Sequence, residues 1–214
     1  MEAIKKNISG RSIVKICFVS CLFALLSIET ASAQAPYLAK GNQELNVFGG
    51  LSYGLDHWRG SYGGNYAYAF NKVVMAYGEY SYFPGVARNS SETFPNSPIT
   101  LPEQISLRFN DVHAGVHIRL PIFPEKRIVP YVAAGMGWLR SDVSGSVYVN
   151  NVPYPLELAK HNGLAINGGG GLRLYLSGDG RFGLRLEAKA YKPVSGPTTA
   201  SFGKVSLGIF YQFK

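Results

Sequence analysis

Apolar residues occupy every second position of the final segment. Val205, Leu207, Ile209, Tyr211 and Phe213 alternate with Lys204, Ser206, Gly208 and Gln212, and Phe210 alone interrupts the polar series. A period of two marks a strand with two unlike faces. Runs of the same kind, bounded by turn residues, predict eight strands: Gln43 to Leu55, Tyr62 to Phe70, Val73 to Phe83, Ile105 to Leu120, Ile128 to Arg140, Gly163 to Leu176, Arg181 to Lys192, and Ser201 to Phe213. The connections alternate in length. Asn71-Lys72 and Ser177 to Gly180 are tight and Pro121 to Arg127 is moderate, whereas Pro84 to Gln104 and Ser141 to Asn162 are long.

The faces sort by what a lipid environment tolerates. In the seventh strand Phe182, Leu184, Leu186, Ala188 and Ala190 share one face, while Arg181, Arg185, Glu187, Lys189 and Tyr191 share the other. A one-residue slip would turn the charges to lipid, at roughly 2–4 kcal/mol per Arg or Lys near the bilayer midplane. The fourth strand repeats the division, with Val112, Ala114, Val116, Ile118 and Leu120 outward and Asp111, His113, Gly115, His117 and Arg119 inward. The sixth sends Leu164, Ile166, Leu172, Leu174 and Leu176 outward and Asn167, Arg173 and Tyr175 inward. In the fifth both faces are small or apolar, and Val132, Ala134, Met136 and Trp138 are assigned outward. Tyr66, Tyr68, Tyr80, Tyr82, Tyr211 and Phe213 supply interfacial aromatic girdles.

Ahead of these strands, Lys5, Lys6, Arg11 and Lys15 precede the apolar run Ile16 to Ile28 and the small-residue pattern Ala31-Ser32-Ala33. This reads as a secretory signal peptide, residues 1–33, cleaved after Ala33. The run is shorter than the ~20 residues that a spanning helix needs. Cleavage removes Cys17 and Cys21, so disulfides and thiolate metal sites are excluded from residues 34–214. No second long apolar stretch follows, and a spanning chain must satisfy its backbone polar groups internally. The expected fold is therefore all-β, an eight-stranded antiparallel up-and-down transmembrane β-barrel over residues 34–214. A secreted β-sandwich also has alternating strands, but has no reason to alternate short and long connections. An even strand count puts both termini in the periplasm and the loops at Asp56 to Ser61, Pro84 to Gln104, Ser141 to Asn162 and Pro193 to Ala200 outside the cell.

The eight-strand pattern, the segment PYVAAGMGW and the closing KVSLGIFYQF resemble the small eight-stranded outer-membrane barrels, a family that includes the N-terminal barrel of outer membrane protein A and the neisserial opacity proteins. The resemblance covers the whole of residues 34–214. It implies a bacterial outer-membrane location and a role as membrane anchor, adhesin, surface-interaction protein or small gated pore. The ending resembles the C-terminal sorting signal of such barrels, which makes Ile209, Tyr211 and Phe213 the assembly signal, although Lys214 follows the terminal aromatic. The implied partners are outer-membrane lipids, the outer-membrane assembly machinery and an extracellular or host-surface ligand held by the loops.

Charge adds little to that picture. Without the signal peptide, seventeen of the 21 basic and eleven of the 13 acidic residues remain, a mildly basic balance. The charges are scattered, so a nucleic-acid partner is not expected. His113 and His117 have a metal-pair spacing for a helix, but in a strand four residues span ~13 Å. Asp56, His57, Ser61 and His161 fall in loops without a nucleophile motif. Gly168 to Gly171 and Gly135-Met136-Gly137 lack the strand-to-helix junction of a phosphate loop and read as relief of strand curvature or room for a large neighbour. Ser177-Gly178-Asp179-Gly180 is a turn and not a calcium loop. No enzyme activity, cofactor or metal is expected.

The interior then becomes the candidate site. Glu79, Asp111, His113, Arg119, Arg173, Arg185, Glu187, Lys189 and Lys204 all face inward. Counting along adjacent strands puts Glu187 diagonal to Arg173 and Glu79 nearly level with His113. An Arg173 to Glu187 contact is expected, with Arg185 and Lys189 completing a network that blocks passage. Two other functions remain to be weighed, a narrow or gated pore and an outer-membrane lipid-modifying enzyme.

Overall fold

Eight strands pair antiparallel in chain order, and the last pairs with the first, so the sheet has no edge. The computed structural model describes residues 39–54, 57–93, 100–120, 127–149, 152–195 and 201–213. The predicted signal peptide lies outside these residues. So do Asp56, the stretch 121–126 of the turn predicted at Pro121 to Arg127, and 196–200 of the last predicted loop. The strands are β1 (Gln43–Gly54), β2 (His57–Ala69), β3 (Val74–Thr93), β4 (Thr100–Arg119), β5 (Ile128–Val149), β6 (Val152–Tyr175), β7 (Phe182–Pro193) and β8 (Phe202–Phe213).

The register fixes the barrel's dimensions. One ladder row runs Gly49, Tyr62, Tyr82, Asn110, Arg140 to Asn162 on β6. In the other direction it runs Gly49, Leu207, Leu186 to Leu172, also on β6. The two ends of this row differ by ten positions on one strand (172 − 162), which is the shear. With eight strands about 4.8 Å apart and a rise of about 3.3 Å per residue, that shear requires a tilt of about 41° and a backbone radius of about 8 Å. An interior of that width holds side chains and little else.

Alternation decides which side chains those are. Along β7, Leu186, Ala188 and Ala190 face out while Arg185, Glu187, Lys189 and Tyr191 are buried; along β4, Val112, Ala114 and Val116 face out while Asp111, His113 and His117 are buried. The outward assignment of β5 holds, with Met136 67% and Trp138 58% exposed. Phe210, the aromatic that interrupts the polar series of β8, is buried against the Tyr175 ring. Glycines make room for such rings: a Cβ on Gly171 would lie 2.6 Å from the Tyr131 hydroxyl.

Turn chemistry accounts for the tight end. The Asn71 side chain accepts hydrogen bonds from the amides of Val73 and Val74, at 2.7 and 2.8 Å, and so reverses the chain between β2 and β3. Gly180, with φ +72°, closes the turn before β7. There the Ser177 hydroxyl and the Arg181 amide hold the exposed Asp179 carboxyl below its ordinary range. Arg181 belongs to this turn as well. It is solvent-exposed and pairs with Asp179 at 3.4 Å, so its predicted inward position is wrong: the alternation of β7 starts one residue later.

The other end departs further from expectation. Pro84 to Gln104 and Ser141 to Asn162, predicted as long loops, are mostly paired strand. The β3–β4 ladder continues to Thr93 and Thr100, and the β5–β6 ladder to Val149 and Val152. Pro84 sits at a bulge, where the pairing steps from Phe83 and Phe109 to Val86 and Leu107; an imino acid costs nothing where the ladder is already broken. Beyond the bilayer neither face must meet lipid, so the hydrophobic period fades while backbone pairing persists. The predicted first loop is likewise shorter, because the chain reverses next to Gly54 at φ +137° and His57 already pairs with it.

Candidate functional site

Every barrel strand sends its inward positions into one channel, and the sequence fills that channel in layers. At the end carrying the long hairpins, Phe83, Phe109, Leu139, Ala165, Tyr191 and Phe202 form a buried apolar plug. Tyr191 stacks on Phe202 with centroids 4.6 Å apart. At the opposite end, Val129, Tyr175 and Phe210 form a second apolar cluster. Between them lies a layer of ionised groups.

Glu79 anchors the upper half of that layer. It accepts from Lys189 at 2.8 Å and from Lys204, and lies 3.6 Å from Nε2 of His113. His113 in turn bonds Asp111 through Nδ1 at 2.7 Å, which leaves Nε2 to accept from Lys189 at 3.4 Å. Glu79 and His113 are direct register partners, as counted from the sequence. Each lysine also lies over a ring, Lys189 over Tyr77 at 4.5 Å and Lys204 over Phe48 at 4.4 Å.

The lower half is built on arginines. Arg173 donates through Nε and Nη2 to Glu44 at 2.7 and 3.2 Å, a forked carboxylate pair, and its guanidinium lies 4.4 Å over the Tyr131 ring. Arg173 Nη2 also lies 3.0 Å from Nδ1 of His117, whose Nε2 is 3.4 Å from Nη2 of Arg185 and 3.6 Å from Glu187. Arg185 bonds Glu187 at 2.5 Å and Asn65 at 2.9 Å. The Tyr131 hydroxyl accepts from Arg185 at 2.8 Å and donates to Glu187 at 2.7 Å. Lys189, 2.9 Å from Glu187, joins the two halves.

Four carboxylates, Glu44, Glu79, Asp111 and Glu187, thus face four cations, Arg173, Arg185, Lys189 and Lys204, all buried. Balance is what the environment demands, because an ion held away from bulk water persists only with a partner and satisfied hydrogen bonds.

Eight of the nine predicted interior residues are brought together here, with two corrections. Arg173 does not contact Glu187, although the two are diagonal in register. Glu187 is taken by Arg185 and Lys189, its neighbours on the same face of its own strand, and Arg173 reaches Glu44 instead. Neighbour counting misses such contacts because an interior about 8 Å in radius lets a long side chain cross to a non-adjacent strand. Arg119 stands apart, half-buried at the tight-turn end, and no ion pair of it is found among the described residues. Glu44 was missed, yet it carries a signal: it lies on the polar side of the Leu45, Val47 alternation. Arg59, predicted to be in a loop, is buried below the hairpins, donating to the Leu107 carbonyl at 3.0 Å. The predicted assembly signal, Ile209, Tyr211 and Phe213, lies on the outer wall.

A closed barrel with an apolar outer belt, aromatic residues towards both ends of that belt and a neutralised polar interior is the design of a membrane-spanning β-barrel. The chain belongs to the outer membrane protein beta-barrel domain family, whose pattern matches residues 18–213. It is a bacterial outer-membrane protein. Among solved structures it is similar to Ail, the attachment invasion locus protein of Yersinia pestis, with a TM-score of 0.53 and 15% identity over 81% of this chain and 99% of that one. Neisserial surface protein A is similar with a TM-score of 0.53 and 11% identity over 80% and 96%. Comparison with curated protein sequences gives no match.

Proposed function

We propose that this protein is a non-enzymatic surface-interaction barrel, which anchors two projecting hairpins in the outer membrane and engages an external partner through them. The observation that carries the reading is the continuation of the β3–β4 and β5–β6 ladders past the apolar belt. From Phe83 to Thr93 the β3 strand runs roughly 30 Å further along its axis. The β5–β6 hairpin carries Val152 and Tyr154 more than half exposed near its tip. Outside a membrane such side chains are the kind that a protein partner covers. The paired lumen argues against conduction, since opening a path means separating buried ions. The hairpin end faces outward and the tight turns face the periplasm, after removal of residues 1–33 as a signal peptide. Ail, a neighbour in fold, has been solved with the heparin analogue sucrose octasulfate, which fits an external ligand as the object of the hairpins.

The test replaces 86–105 and 142–160 by short turns. The reading expects a barrel that assembles and resists protease but no longer attaches cells to immobilised host glycans and matrix proteins that the parent binds. Attachment that survives the double replacement contradicts it.

A further inference from the structure

The outer wall is not uniformly convex. A groove of about 720 Å³ crosses it from β1 to β5, floored by Gly64, Gly78 and Ala114 and walled by Tyr80, Met136 and Trp138. Small residues at its floor are not a demand of the fold: a Cβ added to Gly78 would meet nothing within 4 Å, and at Gly64 only ordinary contact. The hollow exists because small side chains stand where larger ones would fit.

What lies at the groove's upper end indicates the occupant. The Tyr80 hydroxyl donates to Asn110 at 2.8 Å, and Asn110 is the register partner of Arg140. Arg140 sits one outward step above Trp138 on β5, with its side chain about half exposed. Arg108 on β4 and Lys160 on β6 flank it diagonally, each about 7–8 Å away along the wall. Both are exposed. Among the described residues Asp142 lies 3.2 Å from Arg140 and is the register partner of Arg108, so two arginines share one carboxylate at the border of the apolar belt. An apolar furrow that opens at a cationic shelf is complementary to a molecule with chains at one end and negative charge at the other.

We propose that this groove and shelf form a seat for the phosphorylated, multiply acylated glycolipid of the outer leaflet, with an acyl chain along Gly64, Gly78 and Ala114 and a phosphate against Arg140 and Arg108. Arginine suits the second task because its planar fork donates two hydrogen bonds to one phosphate. The proposal rests on the outward orientation of the hairpins, which protease accessibility on intact cells tests separately.

The experiment titrates lipid A into the refolded full-length barrel in detergent and reads bound lipid by native mass spectrometry. Fully dephosphorylated lipid A and inorganic phosphate serve as the comparison probes. The parent should hold lipid A. Arg108→Gln with Arg140→Gln should weaken that binding about tenfold, the loss of a charge-assisted contact, and leave the dephosphorylated lipid unaffected. Gly78→Leu, which fills the groove at a position open to a side chain, should weaken both lipids without lowering barrel stability. Inorganic phosphate should not compete, since it lacks the chains. Equal retention of lipid A by all variants overturns the proposal, as does equal binding of the two lipids by the parent. Loss of a cross-linkable dimer in Gly78→Leu, with lipid binding intact, overturns it too and gives the groove to a second copy of the chain.

Discussion

Removing Glu44 is the sharpest perturbation of the lumen, because a single deletion strips the forked partner from Arg173 and a second contact, at 3.5 Å, from Arg185. Glu44 and both guanidiniums are buried, so neither cation can turn to bulk water in place of the lost carboxylate. Breaking a buried pair by removing one partner costs about 3–5 kcal/mol, most of it the penalty for the charge left behind. Glu44→Ala should therefore lower barrel stability by about that amount. The compensating double variant, Glu44→Ala with Arg173→Met, removes both charges and should recover much of the loss, since apolar replacement of a whole buried pair is often neutral. Asp142→Ala supplies the contrast. Its pair with Arg140 is exposed, so the change should cost no more than about 1 kcal/mol. The assay is urea unfolding in phosphatidylcholine vesicles, followed by tryptophan fluorescence of Trp58 and Trp138 on the lipid-facing wall. A Glu44→Ala barrel within about 0.5 kcal/mol of the parent, the size of an ordinary surface substitution, would refute the claim that the lumen is held by desolvated ion pairs.

Three further outcomes follow from other parts of the structure. Phe213→Ser should reduce outer-membrane insertion more than deletion of Lys214 does, and equal yields of folded barrel by gel-shift on heating would count against the terminal-signal argument. Gly171→Leu should destabilise strongly, because its Cβ would lie 2.3 Å from the Leu186 carbonyl oxygen and 2.6 Å from the Tyr131 hydroxyl; parent-like unfolding would show that the layer can shift to admit it. Protease added to intact cells should cut within Pro84 to Gln104 or Ser141 to Asn162 and spare Asn71-Lys72 and Ser177 to Gly180, whereas cleavage confined to the tight turns would invert the orientation.

Strand number, order and facing were legible because lipid on one side and a packed interior on the other impose period two on every strand within the bilayer. That is why β4, β6, β7 and β8 could be sorted residue by residue, and why the ambiguous β5 still resolved once Met136 and Trp138 needed a face. Legibility failed where the constraint stops. Val86 to Thr93 pairs with Thr100 to Leu107, yet no environment forces alternation there, and Pro84 suggests an ending where the structure has a bulge. The lumen was half legible for a different reason. Inward position follows from parity, as for Glu79 and His113, but partner choice depends on reach across the barrel. Arg173 finds Glu44 on a strand three steps away around the sheet, and no count along adjacent strands reveals that.

The central claim, that the interior is sealed by paired charges and the protein works from its outer surface, is met most directly by planar-bilayer conductance of the refolded barrel. The parent should give no steady open channel, and Glu79→Ala, which removes the carboxylate shared by Lys189 and Lys204, should loosen the layer enough for transient openings to appear. Stable ohmic channels from the parent, unchanged in Glu79→Ala, would contradict a sealed lumen and make the barrel a pore.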